Sequence, residues 1–297
     1  MTAPAPTNRQ IRKQTPGRTW TTTGTRRVTA TDALRVVILS TFVLLALIPV
    51  VWTLLGSFKT PAELAARPIT ILPENWGLDN YTDALGRFNF TVYLRNSVLV
   101  TVGATVLTLT INAMAAYGLA KYNFRGRNGL FLLTLATIMI PLQVILIPVY
   151  QVVASMGLVN TLWGLIIPAA ATPTGVFILR QYMLGIPDEL IEAARVDGSG
   201  EFRTFLRIVL PLCRPALAVV AILSVMWRWN DFLWPLVVAQ SEGVYTLPVA
   251  LARFNAEETV PFNLILAMSV VTIVPVILLF LVFQRQITTG IANTGIK

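Results

Sequence analysis

The stretch Gly185–Leu217, "GIPDELIEAARVDGSGEFRTFLRIVLPLCRPAL", decides how the chain is read. Pro187 suits the first turn of a helix, and Asp188 and Glu189 follow it at the positive end of the helix dipole. Leu190, Ile191 and Ala194 recur at helical spacing on one face. Gly198 fits the left-handed position that stops a helix. A second short helix is predicted from Gly200 to about Val209, and Pro211 opens an apolar run. The segment reads as two short helices around a glycine turn, set between much longer apolar stretches.

Those stretches are measured by the gaps between charged residues. Arg35 to Lys59 encloses 23 uncharged residues, Arg95 to Lys121 encloses 25, Arg127 to Arg180 encloses 52 and Glu258 to Arg285 encloses 26. A helix crosses a bilayer core with about 20 apolar residues. Three gaps fit one span each, and the 52-residue gap fits two, with "SMGLVNTLWG" (Ser155–Gly164) as the turn. Leu212 to about Ala239 is a further span that carries Arg228 and Asp231. The prediction is an all-α integral membrane protein with six transmembrane helices near 34–57, 93–119, 128–151, 160–182, 212–238 and 262–284. Lipid cannot satisfy backbone polar groups, so the spans are helices, and Pro141, Pro148, Pro168, Pro173 and Pro275 inside them read as kinks.

Composition agrees. Of 297 residues, 55% are hydrophobic and 12% charged, the latter about half the usual globular share. The mean hydropathy is +0.68. Without histidine there is no Ser-His-Asp triad, Cys-His pair or His metal site, and the single Cys213 forms no internal disulfide. No G-x-x-x-x-G-K-[ST] loop is present, so the chain does not hold ATP by a P-loop. The net charge of +9 reads as orientation, with no nucleic-acid partner implied. Six Lys or Arg precede Leu34, three lie in "KYNFRGR" (Lys121–Arg127), and five lie between Arg180 and Arg214. This places both termini, 121–127 and 183–211 in the cytoplasm, and 58–92, 155–164 and 239–261 outside.

The domain reading follows. Residues 1–33 are a basic cytoplasmic tail, disordered by composition. Residues 34–92 hold the first span, read as retained rather than cleaved, and an external segment. Residues 93–284 form the core with five spans and the hairpin 183–211, and 285–297 are a cytoplasmic tail. By its residues alone the hairpin is either a docking element, with Glu192 facing a partner's Arg beside small Ala193 and Ala194, or an interfacial helix under the bundle.

The hairpin resembles the EAA motif of binding-protein-dependent ABC importer permeases: E-A-A, three residues, G, nine residues, then I-x-L-P. Glu192-Ala193-Ala194, Gly198 and Ile208-Val209-Leu210-Pro211 keep every spacing. "SFKTPAEL" (Ser57–Leu64), "LDNYTDAL" (Leu78–Leu85), "GLVNTLWGLIIP" (Gly157–Pro168), "WNDFLWPLV" (Trp229–Val237), "YTLPVAL" (Tyr245–Leu251) and "FQRQITTGI" (Phe283–Ile291) resemble its carbohydrate-uptake branch, and in particular the smaller permease subunit of maltose-type importers. The resemblance covers about residues 36–297. It implies the type I ABC importer permease fold in a bacterial inner membrane, a second permease subunit that is a different chain, two ATPase subunits that bind ATP and Mg, and an extracytoplasmic binding protein. It implies no cofactor in this chain. Carried over, Glu192 salt-bridges a basic residue of an ATPase groove, Ala193 and Ala194 pack there, and Asp197 and Gly198 end the coupling helix. Ser199 departs from the family's usual Ala. Transport would proceed by alternating access, and the segment 239–261 either reaches the binding protein's cleft or is a plain connector.

"RWNDFLW" (Arg228–Trp234) is the other sharp feature, since ionisable residues inside spans are functional candidates. Trp229 could stack on a sugar, with Asn230 and Asp231 accepting from hydroxyls. Alternatively Arg228 and Asp231 pair at i,i+3, or Trp229 and Trp234 form an aromatic belt with Arg228 snorkelling outward. An Arg228 facing the pathway would suit an anionic sugar derivative or a glycerol phosphodiester. A secondary transporter is the remote alternative, disfavoured by the scarcity of acids within the spans.

Overall fold

The computed structural model describes residues 30–294, and every regular element among them is helical. In chain order these are α1 (Ala30–Gly56), α2 (Pro61–Ala65), α3 (Asp79–Arg87), α4 (Phe90–Lys121), α5 (Arg127–Ala136), α6 (Leu142–Ser155), α7 (Leu162–Ile166) and α8 (Pro173–Leu184). There follow α9 (Glu189–Val196), α10 (Glu201–Thr204), α11 (Leu210–Leu212), α12 (Arg214–Trp229), α13 (Leu233–Val238), α14 (Leu247–Ala256) and α15 (Phe262–Thr294). The expected disordered tail lies outside the described residues up to position 29, and residues 30–33 already belong to α1. Contacts divide the chain after Pro49, within α1, into two units. The side chains of α1 from Leu34 to Pro49 are exposed and almost all apolar, as suits a helix among lipid tails.

Several expected spans are sharply bent or broken. Leu34–Gly56 and Phe90–Lys121 are long and apolar enough to cross a membrane unbroken. Three more candidates are bent pairs: Arg127–Met139 with Leu142–Ser155 at 107°, Leu162–Ala169 with Pro173–Leu184 at 43°, and Glu201–Leu212 with Arg214–Trp229 at 79°. The described apolar part of α15 is Phe262–Leu278. Proline explains the first two breaks. Pro141 holds Ile140 in an extended conformation, and Pro173 starts α8 after an extended Thr172. The expected span 212–238 is instead α12, 16 residues and so about 24 Å long, followed by a break at Asn230–Phe232 and the short α13.

The long α4 is what the broken helices are fastened to. Its 32 residues span about 48 Å, and a row of polar residues at helical spacing faces inward. Near one end, Asn96 Nδ2 donates to the carbonyls of Gly243 (2.9 Å) and Tyr245 (3.0 Å), and Ser97 Oγ accepts from the Leu247 N–H (2.8 Å). Mid-helix, Thr105 and Ser224 hydroxyls share a 3.0 Å bond. Thr108 Oγ1 donates to the Ala169 carbonyl (2.7 Å), while Asn112 Oδ1 accepts from the Thr172 N–H (3.1 Å). Ala169 and Thr172 flank the proline break between α7 and α8, where intrahelical partners are missing. The buried polar row therefore satisfies the groups that the break frees. Gly175 on α8 has to lack a side chain, because a Cβ there would collide with the Asn112 amide.

Three apolar clusters line up along α4. Tyr117 packs with Leu179, Met183, Ile191, Phe205 and Val209 at the end that leads to the hairpin. Val100 and Ala104 pack with Leu165, Trp234 and Val238. At the far end, Tyr93 packs with Phe88, Trp229, Leu247, Phe254 and Met268. The segment between α1 and α4 is an ordered cap: Asn80 Nδ2 donates to the Ser57 and Lys59 carbonyls (2.8 and 2.9 Å), and Asn80 Oδ1 accepts from Asn263 Nδ2 (2.7 Å) on α15. The two quoted stretches, Ser57–Leu64 and Leu78–Leu85, are thus halves of one cap.

Candidate functional site: the coupling hairpin and the Arg228 end of α12

The hairpin folds as its sequence dictates. Helix α9 covers Glu189–Val196, Gly198 adopts φ 79°, and the Ser199 N–H returns to the Ala194 carbonyl at 2.9 Å. Amphipathicity sets which face is inward. Ile191 and Ala194 are buried, and Ile191 sits among Tyr117, Met183 and Phe205. Glu192, Ala193 and Asp197 are exposed, and Val196 is 88% exposed. Ala194 therefore does not belong to the outward ridge expected to hold it: its position in the helical period turns its methyl into this chain's own core. The outward ridge is Glu192, Ala193, Val196 and Asp197, with Leu190 at its edge and Phe202 of α10 exposed nearby in sequence. The predicted second helix exists but changes pitch, with a π-helical turn over Phe205–Val209 before the 79° bend at Cys213.

Sequence reasoning missed what holds the hairpin in place. Lys121, the last residue of α4, donates from Nζ to the Ile186 carbonyl (2.5 Å) and to Asp188 Oδ1 (2.6 Å). Tyr122 donates its hydroxyl to Glu201 Oε2 (2.5 Å), and Arg195 Nε reaches Glu201 Oε1 (2.6 Å). Arg195 and Tyr122 together hold the Glu201 carboxyl below its ordinary range, and burial with the Glu201 bond pushes the Tyr122 hydroxyl above its own. The available signal was charge: the hairpin carries five acids, Asp188, Glu189, Glu192, Asp197 and Glu201, against the basic loop Lys121–Arg127, and Asp188 and Glu201 are used internally.

At the far end of α4 lies the Arg228 segment. Trp229 is buried against Tyr93, Leu247 and Phe254, and Trp234 is buried with its Nε1 donating to the Gly164 carbonyl (3.1 Å). Both rings pack inside the chain rather than facing outward. Asn230 is exposed and donates to the Met226 carbonyl (2.8 Å), ending α12. Asp231 Oδ1 accepts from the Trp234 N–H at 3.4 Å, at the start of α13. Among the described residues no ion pair joins Arg228 to Asp231, because the helix ends at Trp229 and the i,i+3 geometry ends with it. Arg228 Nε is buried without a hydrogen-bond partner. One turn along, Ser224 is bonded to Thr105, and one turn along α4 in the matching direction Thr101 also has a buried hydroxyl without a partner.

The segment 239–261 is more than a connector. It contains α14, whose Leu247, Val249, Ala250 and Phe254 are buried. Beside it opens a pocket of about 450 Å³ lined by Arg87, Tyr93, Glu242, Tyr245, Arg253 and Glu257. No group of His, Cys, Asp or Glu able to hold a metal occurs among the described residues.

Comparison with known proteins places this architecture. A family described as "Binding-protein-dependent transport system inner membrane component" matches residues 109–291. The chain is 40% identical to the arabinooligosaccharides transport system permease protein AraQ of Halalkalibacterium halodurans, over 85% of this chain and 92% of that protein. It is 33% identical to the sulfoquinovosyl glycerol transport system permease protein SmoH of Agrobacterium fabrum, over 89% and 93%. A crystal structure of a bacterial ABC transporter involved in the import of the acidic polysaccharide alginate superposes with a TM-score of 0.79 at 25% identity, covering 88% of this chain and 97% of that one.

Proposed function

This chain belongs to the family of inner membrane components of binding-protein-dependent transport systems, and from that premise we propose that it forms half of a carbohydrate pathway and couples it to partner ATPases. It is an ABC importer permease, not an ATPase. We take its complement of spans as six: α1, α4, the bent pairs Arg127–Met139 with Leu142–Ser155 and Leu162–Ala169 with Pro173–Leu184, α12, and α15. The charge distribution supports cytoplasmic termini, with the hairpin on the same side.

The observation that carries the reading is the outward ridge of α9. Glu192, Ala193, Val196 and Asp197 are exposed, while Ile191 and Ala194 anchor the same helix in the core. A ridge of one carboxylate and small or apolar side chains, on a firmly seated helix, suits insertion into a groove with a basic residue. There Glu192 binds the ATPase, Ala193 and Val196 pack, and Gly198 turns the chain back. ATP and Mg are bound in that partner. A second, different permease completes the pathway, an extracytoplasmic binding protein delivers solute, and nucleotide-driven closure moves the hairpin and shifts access. The test is purification of the chain with its neighbours' products: it brings down an ATPase in the parental form and fails to with Glu192→Arg. Retention of the ATPase by that variant refutes the docking assignment.

Arg228 favours a second reading of the solute. A guanidinium in a span, with no carboxylate within ion-pairing distance among the described residues, suits an anionic sugar derivative or glycerol phosphodiester. Arg228→Ala is then expected to lower uptake of an anionic glycoside by about tenfold, the worth of one charge-assisted bond, and to leave a neutral one unchanged. Equal effects on both refute it.

A further inference from the structure

The hairpin is fastened to α4 on both of its sides. At the entry, Lys121 holds Ile186 and Asp188, which precede α9. At the turn, Tyr122 holds Glu201, the first residue of α10, and Arg195 of α9 closes on the same carboxylate. The Lys121 side chain is only 4% exposed, so its ion pair is sheltered on one side. Tyr117, one turn back on α4, packs its ring against Tyr122 (centroids 5.4 Å, 89°) and Phe205 (5.0 Å). Three charge-assisted bonds and an aromatic contact thus converge on two consecutive residues at the end of one helix.

That helix carries a second attachment. Asn96 and Ser97 bind the backbone of Gly243, Tyr245 and Leu247, the segment leading into α14. From Ser97 to Lys121 is 24 residues of unbroken helix, about 36 Å. The neighbouring candidates are bent by 43°, 79° or 107°, so a push on them is absorbed at the break, whereas α4 transmits it along its axis.

Building on the transporter reading above, we infer that Lys121 and Tyr122 are positioning residues that clamp the α9–α10 hairpin to α4. Through that clamp the hairpin, α4 and the Gly243–Leu247 segment move as one body. Glu192 and its neighbours make the contact with the ATPase, and Asp188 and Glu201 convert that contact into motion of α4. The clamp is charge-assisted and partly exposed, and so separable from the hydrophobic seat of Ile191 and Phe205.

The test measures rigidity directly. Spin labels are placed at Phe202 on α10 and Met114 on α4, both exposed, in a Cys213→Ala background within the full complex with its second permease and ATPases. The distance between them is read without nucleotide and after trapping with ATP and vanadate. In the parental chain it is expected to change by less than about 2 Å, the scale of rigid helix shifts. In the Tyr122→Phe, Asp188→Ala, Glu201→Ala triple variant it is expected to change by about 5 Å, one helical turn. Should the triple variant fail to assemble, Tyr122→Phe and Glu201→Gln, each removing a single bond, are expected to show the same shift in part. An unchanged distance in the assembled variants, or a parental distance that already moves by a turn, overturns the clamp. A variant hairpin that releases the ATPase while those distances hold overturns it too, since the residues are then docking elements. A parental chain that retains no ATPase overturns the transporter reading, and the clamp with it.

Discussion

Two charged regions of this apolar chain, the hairpin and the end of α12, are handled in opposite ways. At the hairpin, Lys121 meets Asp188 across 67 residues and Arg195 meets Glu201 across six. At the end of α12, Arg228 and Asp231 stand three apart, the spacing of a helical pair, and form none. The difference is backbone geometry. Lys121 and Asp188 are brought together by packing of α4 on the hairpin, whereas α12 stops at Trp229 and Asp231 accepts from the Trp234 N–H near the start of α13. Proximity in sequence makes a pair only while the helix that defines the spacing continues.

That contrast can be broken at several points. The largest effect on assembly is expected at the exposed acid of the hairpin. Glu192→Arg should weaken ATPase binding by about 100-fold, as loss of a close interfacial charge pair does, measured by titrating the ATPase onto the complex in nanodiscs. Of the hairpin acids, Asp188 and Glu201 are bonded within the chain, whereas Glu192 is exposed on the outward ridge.

At the other place, Trp229→Ala should cost about 3–5 kcal/mol of stability, because the indole fills a core rather than facing lipid or solute. Thermal unfolding in detergent reads this, and a loss of only a few tenths would return Trp229 to an exposed role. Between the two regions, Asn112→Ala should cost about 1–3 kcal/mol by stranding the Thr172 N–H at the proline break. The same unfolding assay applies, with Thr110→Ala on the exposed face of α4 as the neutral control.

Two smaller effects sharpen the comparison. Glu201 has a depressed carboxyl pKa, so its bonds contribute fully above its ordinary value of 4.5 and are lost as pH falls through the lowered one. The group is 45% exposed, and solvent screening limits the effect to under about 1 kcal/mol. The stability difference between the parent and Glu201→Gln should therefore vanish on acidification. Asp231→Asn is expected to cost only about 0.5 kcal/mol, because the Asn amide oxygen can still accept the long Trp234 N–H bond. A cost of several kcal/mol would reveal an ion pair with Arg228 that the structure does not contain.

How much was legible follows from the same physics. The hairpin could be read because Pro187, Gly198 and the apolar pair Ile191 and Ala194 act locally. Its attachment could not, since Lys121 and Tyr122 are distant in sequence and look like an ordinary basic loop. The row Asn96, Thr101, Thr105, Thr108 and Asn112 does carry a helical period, and reading it as a buried face would have found the ladder. The bends at Pro141 and Pro173 were signalled, though not their size.

By itself the sequence determined that the chain is helical and membrane-embedded, where its apolar stretches lie, and that an E-A-A hairpin interrupts them. Hydropathy, charge and local turn chemistry are short-range properties, written residue by residue. Only the tertiary structure decided that Ala194 faces inward while Val196 faces out, that Trp229 belongs to the core, that Arg228 Nε is buried without a hydrogen-bond partner, and that α4 holds the hairpin at one end and Gly243–Leu247 at the other. Each of these depends on which segments meet in space, and that is fixed by packing against distant parts of the chain.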